Sequence, residues 1–158
     1  MIENAEGMTK SLIIFLLSTG AHPSVITEKQ YHLDLSDKVF YAWNRPKTDK
    51  EVKGRWSKAM SEESRISDIK KFLRKKKGNP WYRISVLGDE LGIPGVCPLQ
   101  LRHTHFVNRA MLGHNPFSIA SGSGTSLGTI DSYYTLGIGG TKKLTEGDRK
   151  YLEWLMED

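Results

Sequence analysis

The stretch Leu12-Ile-Ile-Phe-Leu-Leu17 is apolar at every position and is followed by Thr19-Gly20. A helix that is hydrophobic all round has to be enclosed by the rest of its protein. The run is far too short to cross a bilayer, which takes about 20 residues. Residues 9–18 therefore read as a buried helix that stops at Gly20. At 158 residues the length predicts one domain, large enough to cover such a helix with a substantial core. A hydrophobic content of 38% and a charged content of 26% fit a soluble globular protein.

Mostly helical signals surround that segment. Pro23 and Ser24 begin a short helical stretch running towards Gln30. Lys38-Val-Phe-Tyr-Ala-Trp43 is β-branched and aromatic and reads as a strand. Asn44 to Lys50 is polar and carries Pro46, so it reads as a hairpin turn, with Glu51 to Ser57 as the return strand. Ser61 reads as an N-cap followed by Glu62 and Glu63 in a first turn. Ile66, Ile69, Phe72 and Leu73 then recur at helical spacing, Lys75 to Lys77 fill the last turn, and Gly78 supplies the stop. Trp81 to Leu91 reads as a helix ended by Gly92. Pro98 opens a helix that carries Arg102 and runs to Gly113. Asn115-Pro116 starts a short helix, and Ser121-Gly-Ser-Gly-Thr125 reads as a glycine-rich bend. Ser126 caps a helix ending near Tyr134. Gly137, Gly139 and Gly140 read as a flexible link. Thr145 and Asp148 form a capping-box pattern ahead of Tyr151, Leu152 and Leu155. The expected class is α+β, mostly helical, with one small antiparallel sheet in the N-terminal half. The four tryptophans are scattered and read as core or edge packing.

Charge is unevenly spread. The net charge is +5, yet Arg45 to Arg83 alone holds 14 Lys and Arg against 5 Asp and Glu. That region is net +9 and the remainder net −4. A concentrated basic region is a footprint for a polyanion, with a solvated helix face as the plain alternative. Lys70, Lys71 and Arg74 are the candidate phosphate contacts within it. Cys97 is the single cysteine, so no internal disulfide forms, and a cytoplasmic location is expected. No Cys/His cluster has zinc-ligand spacing. The glycine-rich bend lacks the Gly-Lys-Ser/Thr ending of a nucleotide P-loop.

Two residues carry the chemistry. Arg102 stands in Leu-Arg-His-Thr-His, and an arginine can hold a phosphate with two parallel hydrogen bonds. Tyr134 closes Leu-Gly-Thr-Ile-Asp-Ser-Tyr-Tyr, and a tyrosine hydroxyl can act as a covalent nucleophile. In a basic chain the pair points to phosphodiester chemistry on DNA. Tyr133 is the neighbouring register for the nucleophile. Read plainly, Arg102 caps a helix or pairs with Asp131, and Tyr134 is a core or surface tyrosine.

Three stretches resemble the catalytic domain of the tyrosine recombinases, or phage-type integrases. Leu16 to Ser24 resembles the family's leucine-rich helix, Thr-Gly turn and first-arginine segment. Arg45-Pro-Lys-Thr48 resembles the hairpin that carries the catalytic lysine. Leu101 to Tyr134 resembles the family's second half, with a 32-residue interval from Arg102 to Tyr134. The similarity spans roughly residues 10–140. It implies transesterification on double-stranded DNA without a metal or cofactor, through a 3′-phosphotyrosine. Tyr134 would be the nucleophile and Arg102 would clamp the phosphate. Lys47 matches the hairpin lysine, which acts as general acid, with Lys50 as its rival; Arg45, Lys50 and His103 would touch DNA.

The match is partial. The family's first arginine falls at His22, its histidine or lysine before the second arginine at Leu99, and its histidine or tryptophan before the nucleophile at Thr125. His22 can carry charge beside a phosphate but cannot form a guanidinium fork, and Thr125 can donate one hydrogen bond. Losing one transition-state donor typically lowers a rate by about 10²–10³. Three functions remain open: a strand-exchange enzyme, a recombinase-derived module that binds DNA without chemistry, and a type IB topoisomerase-like enzyme. The short length and integrase-like turn favour the first over the third. The resemblance finds one domain over 1–158, with a core at 9–140 and a tail helix at 141–158. No separate N-terminal core-binding domain is expected, as in a fragment or minimal protein. The tail either docks on a second copy on DNA or folds back on its own core. No membrane association is expected.

Overall fold

The computed structural model describes residues 1–45, 48, 50–62, 64–75, 79–139 and 144–157, with the side chains at 29, 75, 134 and 136–139 outside the description. The apolar run forms the centre of the molecule. It lies in α1 (Gly7–Thr19), where every side chain from Ser11 to Thr19 is buried. Gly20 ends the helix in the left-handed conformation, at φ 62°, and its N–H returns to the Leu16 carbonyl. A residue without Cβ is needed there twice over. The φ is one L side chains rarely adopt, and a Cβ would stand 2.4 Å from the His105 ring.

Short helices and a hairpin enclose α1. After α2 (Ser24–Thr27) and a 3₁₀ turn at Lys29–Tyr31, the chain enters β1 (Phe40–Arg45) and β2 (Lys50–Arg55). These strands are antiparallel, with Trp43 opposite Val52 and Arg45 opposite Lys50. Tyr41, Trp43 and Val52 face inward and are buried. The Tyr41 and Trp43 rings stack at 5.3 Å, and Trp56 packs 4.8 Å from Tyr41. The strand begins two residues later than its β-branched pattern suggests, because Asp37 caps the preceding turn by accepting from the Val39 and Phe40 N–H groups. Asn44 and Arg45 belong to the strand, not to the turn.

The next segment departs from expectation. Ser61 does not cap a helix. It ends a four-residue helix, α3 (Lys58–Ser61), which Ser57 caps by accepting from the Met60 N–H at 3.2 Å. Glu62 instead pairs with Arg65 at 3.0 Å and accepts from the Trp154 indole. The following helix, α4 (Arg65–Lys75), buries Ile69 fully and leans Ile66, Phe72 and Leu73 on the core. Residues 76–78, expected to close it, lie outside the described residues, as does Glu63.

The second half is α5 (Tyr82–Glu90), α6 (Pro98–Met111), α7 (Pro116–Ser123), α8 (Leu127–Gly139) and α9 (Glu146–Met156). Pro98 and Asn115 open their helices as read, and Thr145 with Asp148 forms the full capping box. Two expectations fail. Ser121, Gly122 and Ser123 are helical, and the bend is left to Gly124, at φ 64°, and Thr125. The Ser123 hydroxyl donates to the Ile119 carbonyl at 2.6 Å inside that last turn. Likewise α8 does not stop near Tyr134; Gly137 and Gly139 continue it. A smaller core of Phe106, Ile119, Ala120 and Ile130 binds α6, α7 and α8 together, with Tyr133 against it. α9 packs on α1 and α3 of its own chain and buries Leu152, Leu155 and Met156. Lys58 N–H donates to the Glu157 carbonyl at 2.7 Å, and Arg109 donates to that of Met156. The described protein is thus mostly helical with one two-stranded antiparallel sheet. None of its described helices is long and apolar enough to cross a membrane.

Candidate functional site

Arg102 is the point at which separate elements meet. It sits on the face of α6 turned towards α1 and is 8% exposed. Its Nη1 donates to the Gly20 carbonyl at 2.6 Å and to the Ser123 carbonyl at 3.1 Å. Gly20 is the C-cap of α1 and Ser123 the last residue of α7, and carbonyls at helix ends lack intrahelical partners. Arg102 therefore ties two helix ends together, and Asp131 takes no part. No buried side-chain nitrogen or oxygen among the described residues lacks a partner. The guanidinium nitrogens outside these two bonds therefore keep a path to solvent. Burial first, then Arg45, push its pKa down to about 10, so it stays charged at neutral pH.

Other basic groups surround it. His22 follows Gly20 by two residues, and its Nδ1 accepts from the Ser24 N–H at 3.2 Å. Desolvation first and Arg102 second hold its pKa below the ordinary value, with Glu28 opposing. The direction is opposite to that expected beside a phosphate, so the histidine is neutral at pH 7 in the protein alone. His103, next on α6, is lowered by the same two causes in the same order. Its ring stacks on Tyr133 at 4.7 Å, and Tyr133 also packs 5.5 Å from Phe106. Tyr133 is thereby fixed in the smaller core. Tyr134 is one residue on in α8, and its side chain lies outside the described residues.

The hairpin reaches the same place. Gly124 lies so close to it that a Cβ would stand 2.8 Å from Val52 Cγ2 and 3.5 Å from Arg45 Cδ. Thr125 follows, half-buried, with its N–H on the Ala120 carbonyl at 3.0 Å. Lys50 is exposed opposite Arg45. Lys47 lies outside the described residues. Leu99, in the first turn of α6, is 42% exposed and brings no hydrogen-bonding group.

The structure thus brings together Arg102, His22, His103, Arg45 and Thr125. It does not bring in Lys70, Lys71 or Arg74. These ride on α4, which packs against α1 and α3. Lys71 pairs with Asp68 at 3.7 Å, and Lys70 acts on Asp34.

Sequence reasoning missed Tyr31, whose phenol opposes the lowering of the Arg102 pKa along with that of Tyr133. No motif marks it, since the 3₁₀ turn delivers it through space. It also missed a cavity of about 270 Å³ behind the site, lined by Tyr41, Arg55, His105, Arg109, His114 and Ser118 among others. His105 there is fully enclosed, with Nδ1 2.7 Å from the Leu17 carbonyl and its pKa pushed down to about 3, chiefly by burial. Among the described residues no group of His, Cys, Asp and Glu is placed to hold a metal ion. No protein-family model matches the chain, and no curated protein or solved structure matches it either.

Proposed function

We propose that this chain breaks and rejoins DNA strands, with Tyr134 as nucleophile and a 3′-phosphotyrosine intermediate, as in the tyrosine recombinases it resembles. The supporting observation is the convergence around Arg102. The end of α1, the start of α6, the end of α7 and the tip of β1 meet there, beneath the helix that carries Tyr134. A cluster of cations and N–H donors to which no carboxylate of the described residues is bonded is suited to a phosphorane carrying extra negative charge. In the reaction Tyr134 Oη bonds to phosphorus and gives up its proton to solvent water as the bond to the 5′ oxygen breaks. Lys47 supplies a proton to that leaving oxygen. Arg102 holds the non-bridging oxygens. Attack by another 5′ hydroxyl reverses the sequence. Packing of Tyr133 against His103 and Phe106 favours its neighbour as the nucleophile.

A second reading, DNA binding without chemistry, has its own support. Nη1 of Arg102 is committed to main-chain carbonyls, and Leu99 offers no donor. Covalent trapping separates the two. Wild type, Tyr134→Phe and Tyr133→Phe are incubated with nicked suicide duplexes and run on a denaturing gel. An adduct lost in Tyr134→Phe and kept in Tyr133→Phe is the expected result. Absence of any adduct, with salt-sensitive duplex binding retained, would overturn the enzyme reading in favour of the second.

A further inference from the structure

Arg45 and Arg102 approach the same main-chain segment from opposite elements. Arg102 Nη1 is 3.1 Å from the Ser123 carbonyl, and Arg45 Cδ lies 3.5 Å from where a Cβ of the adjacent Gly124 would be. Arg45 is the last residue of β1 and is half-buried. Neither arginine takes part in an ion pair among the described residues; those present join other groups. Among the described residues the groups that act electrostatically on Arg102 are Arg45, Tyr31 and Tyr133, and Arg102 in turn acts on His22, His103 and His105. No carboxylate is in that set. Glu28, which acts on His22, is exposed and accepts from Gln30.

Two guanidinium groups partly removed from water repel one another, and although the Gly20 and Ser123 carbonyls and the Phe106 ring, 5.1 Å away, face Arg102, none of them carries a countercharge. Proteins relieve such an arrangement with an acid, and among the described residues no carboxylate pairs with either arginine. We propose that Arg45 and Arg102 together clamp one phosphate group of a DNA backbone, Arg45 supplying the second guanidinium. Arginine is suited to this because its planar fork grips two phosphate oxygens at once. Gly124 is what admits the hairpin, since a Cβ would meet Val52 Cγ2 at 2.8 Å. The assignment of the anion as a phosphodiester rests on the DNA reading above; the clamp itself rests on the two arginines meeting at Ser123 and Gly124 with no carboxylate of the described residues bonded to either.

The test uses the full chain with Arg45→Gln and Arg45→Lys, each checked for folding by its thermal melt. Lys150→Gln serves as a charge-matched control, because Lys150 lies on α9 and pairs with Glu146 at 3.3 Å. Affinity for a nicked duplex is measured across a salt series, adduct yield is read on the same duplex, and inorganic phosphate at constant ionic strength is a separate arm. Arg45→Gln is expected to weaken duplex binding about ten- to a hundredfold. It should also lower the slope of log K against log salt by about one. Arg45→Lys should recover the slope but only part of the affinity, and Lys150→Gln should change neither.

Wild-type duplex affinity and slope in Arg45→Gln, with its stabilisation by inorganic phosphate also unchanged, would overturn the clamp, and an undiminished adduct in that variant would leave the enzyme reading standing. Loss of binding in Arg45→Gln, with no adduct even in wild type, would support the clamp and sink the strand-breaking reading. Stabilisation of wild type but not Arg45→Gln by inorganic phosphate, with duplex affinity equal in both, would overturn the phosphodiester as ligand. Failure of wild type to bind the duplex at all would overturn that assignment and the DNA reading together.

Discussion

Gly20→Ala should be among the most damaging single-methyl additions in this protein. The native φ of 62° lies in the left-handed region, which costs a residue with a Cβ roughly 1–2 kcal/mol. The new methyl would also stand 2.4 Å from His105 Cδ2 and 2.8 Å from Nε2. That ring cannot turn aside freely. It is buried, and its Nδ1 is bonded to the Leu17 carbonyl at 2.7 Å. Overpacking of this kind typically costs 1–3 kcal/mol, so the total is roughly 2–5 kcal/mol. For a domain of this size each kcal/mol lowers Tm by about 2–4 °C, giving a fall of roughly 4–20 °C. Urea and thermal denaturation followed by circular dichroism would measure it. Gly122→Ala is the control, since a Cβ there meets nothing within 4 Å and the position is helical, so it should be neutral or stabilise by up to about 1 kcal/mol. A Gly20→Ala loss below about 1 kcal/mol would refute the reasoning. Full additivity of Gly20→Ala with His105→Ala would refute the steric half of it, because overlapping groups must couple.

Three further outcomes are expected. His105, with a folded pKa of about 3 against an ordinary 6.5, binds its proton more readily when unfolded. Its contribution is therefore complete above about pH 6.5 and falls by up to about 1.4 kcal/mol per pH unit as pH drops towards 3; His105→Gln should flatten urea midpoints between pH 6.5 and 5, and an unchanged slope would refute this. Arg102→Leu should cost roughly 2–4 kcal/mol without any DNA present, because the Gly20 and Ser123 carbonyls lose their donor; a chemical-denaturation midpoint equal to wild type would contradict the strut. Thr145→Ala should cost about 1 kcal/mol through the capping box, read in the same assay, with Thr145→Ser close to wild type.

What was legible in the sequence follows from how local each cause is. The buried helix, the proline that opens α6 and the Thr145 capping box each depend on neighbours within a turn or two, and each appears where its residues place it. Ser61 misled because its competitor, Ser57, already caps a short helix that docks under α9, a contact between distant segments. Gly137 and Gly139 look like a link because glycine is a poor helix former, yet α8 runs through them. The same division holds at the site. Arg102 and His103 stand out in their own helix, whereas the approach of Arg45 depends on how the hairpin seats against Gly124, and that of Tyr31 on a 3₁₀ turn.

Arg102 joins the questions of stability and function, because on the proposed reading one side chain would serve both. Its Nη1 holds the ends of α1 and α7, which fixes where its remaining nitrogens lie relative to Arg45. A strut alone would not call for a second guanidinium beside it, unpaired with any carboxylate of the described residues, since repulsion between the two opposes folding. A mobile surface arginine would not be held in place for bidentate recognition. In the clamp proposed above, the carbonyls would position the fork before a phosphate arrives, and the phosphate would offset the charge gathered there. This also bears on the departures at Leu99 and Thr125. On the proposed reading they reduce the number of donors around a bound phosphate without touching the arginine pair, so loss of strand cleavage would not by itself remove phosphate binding.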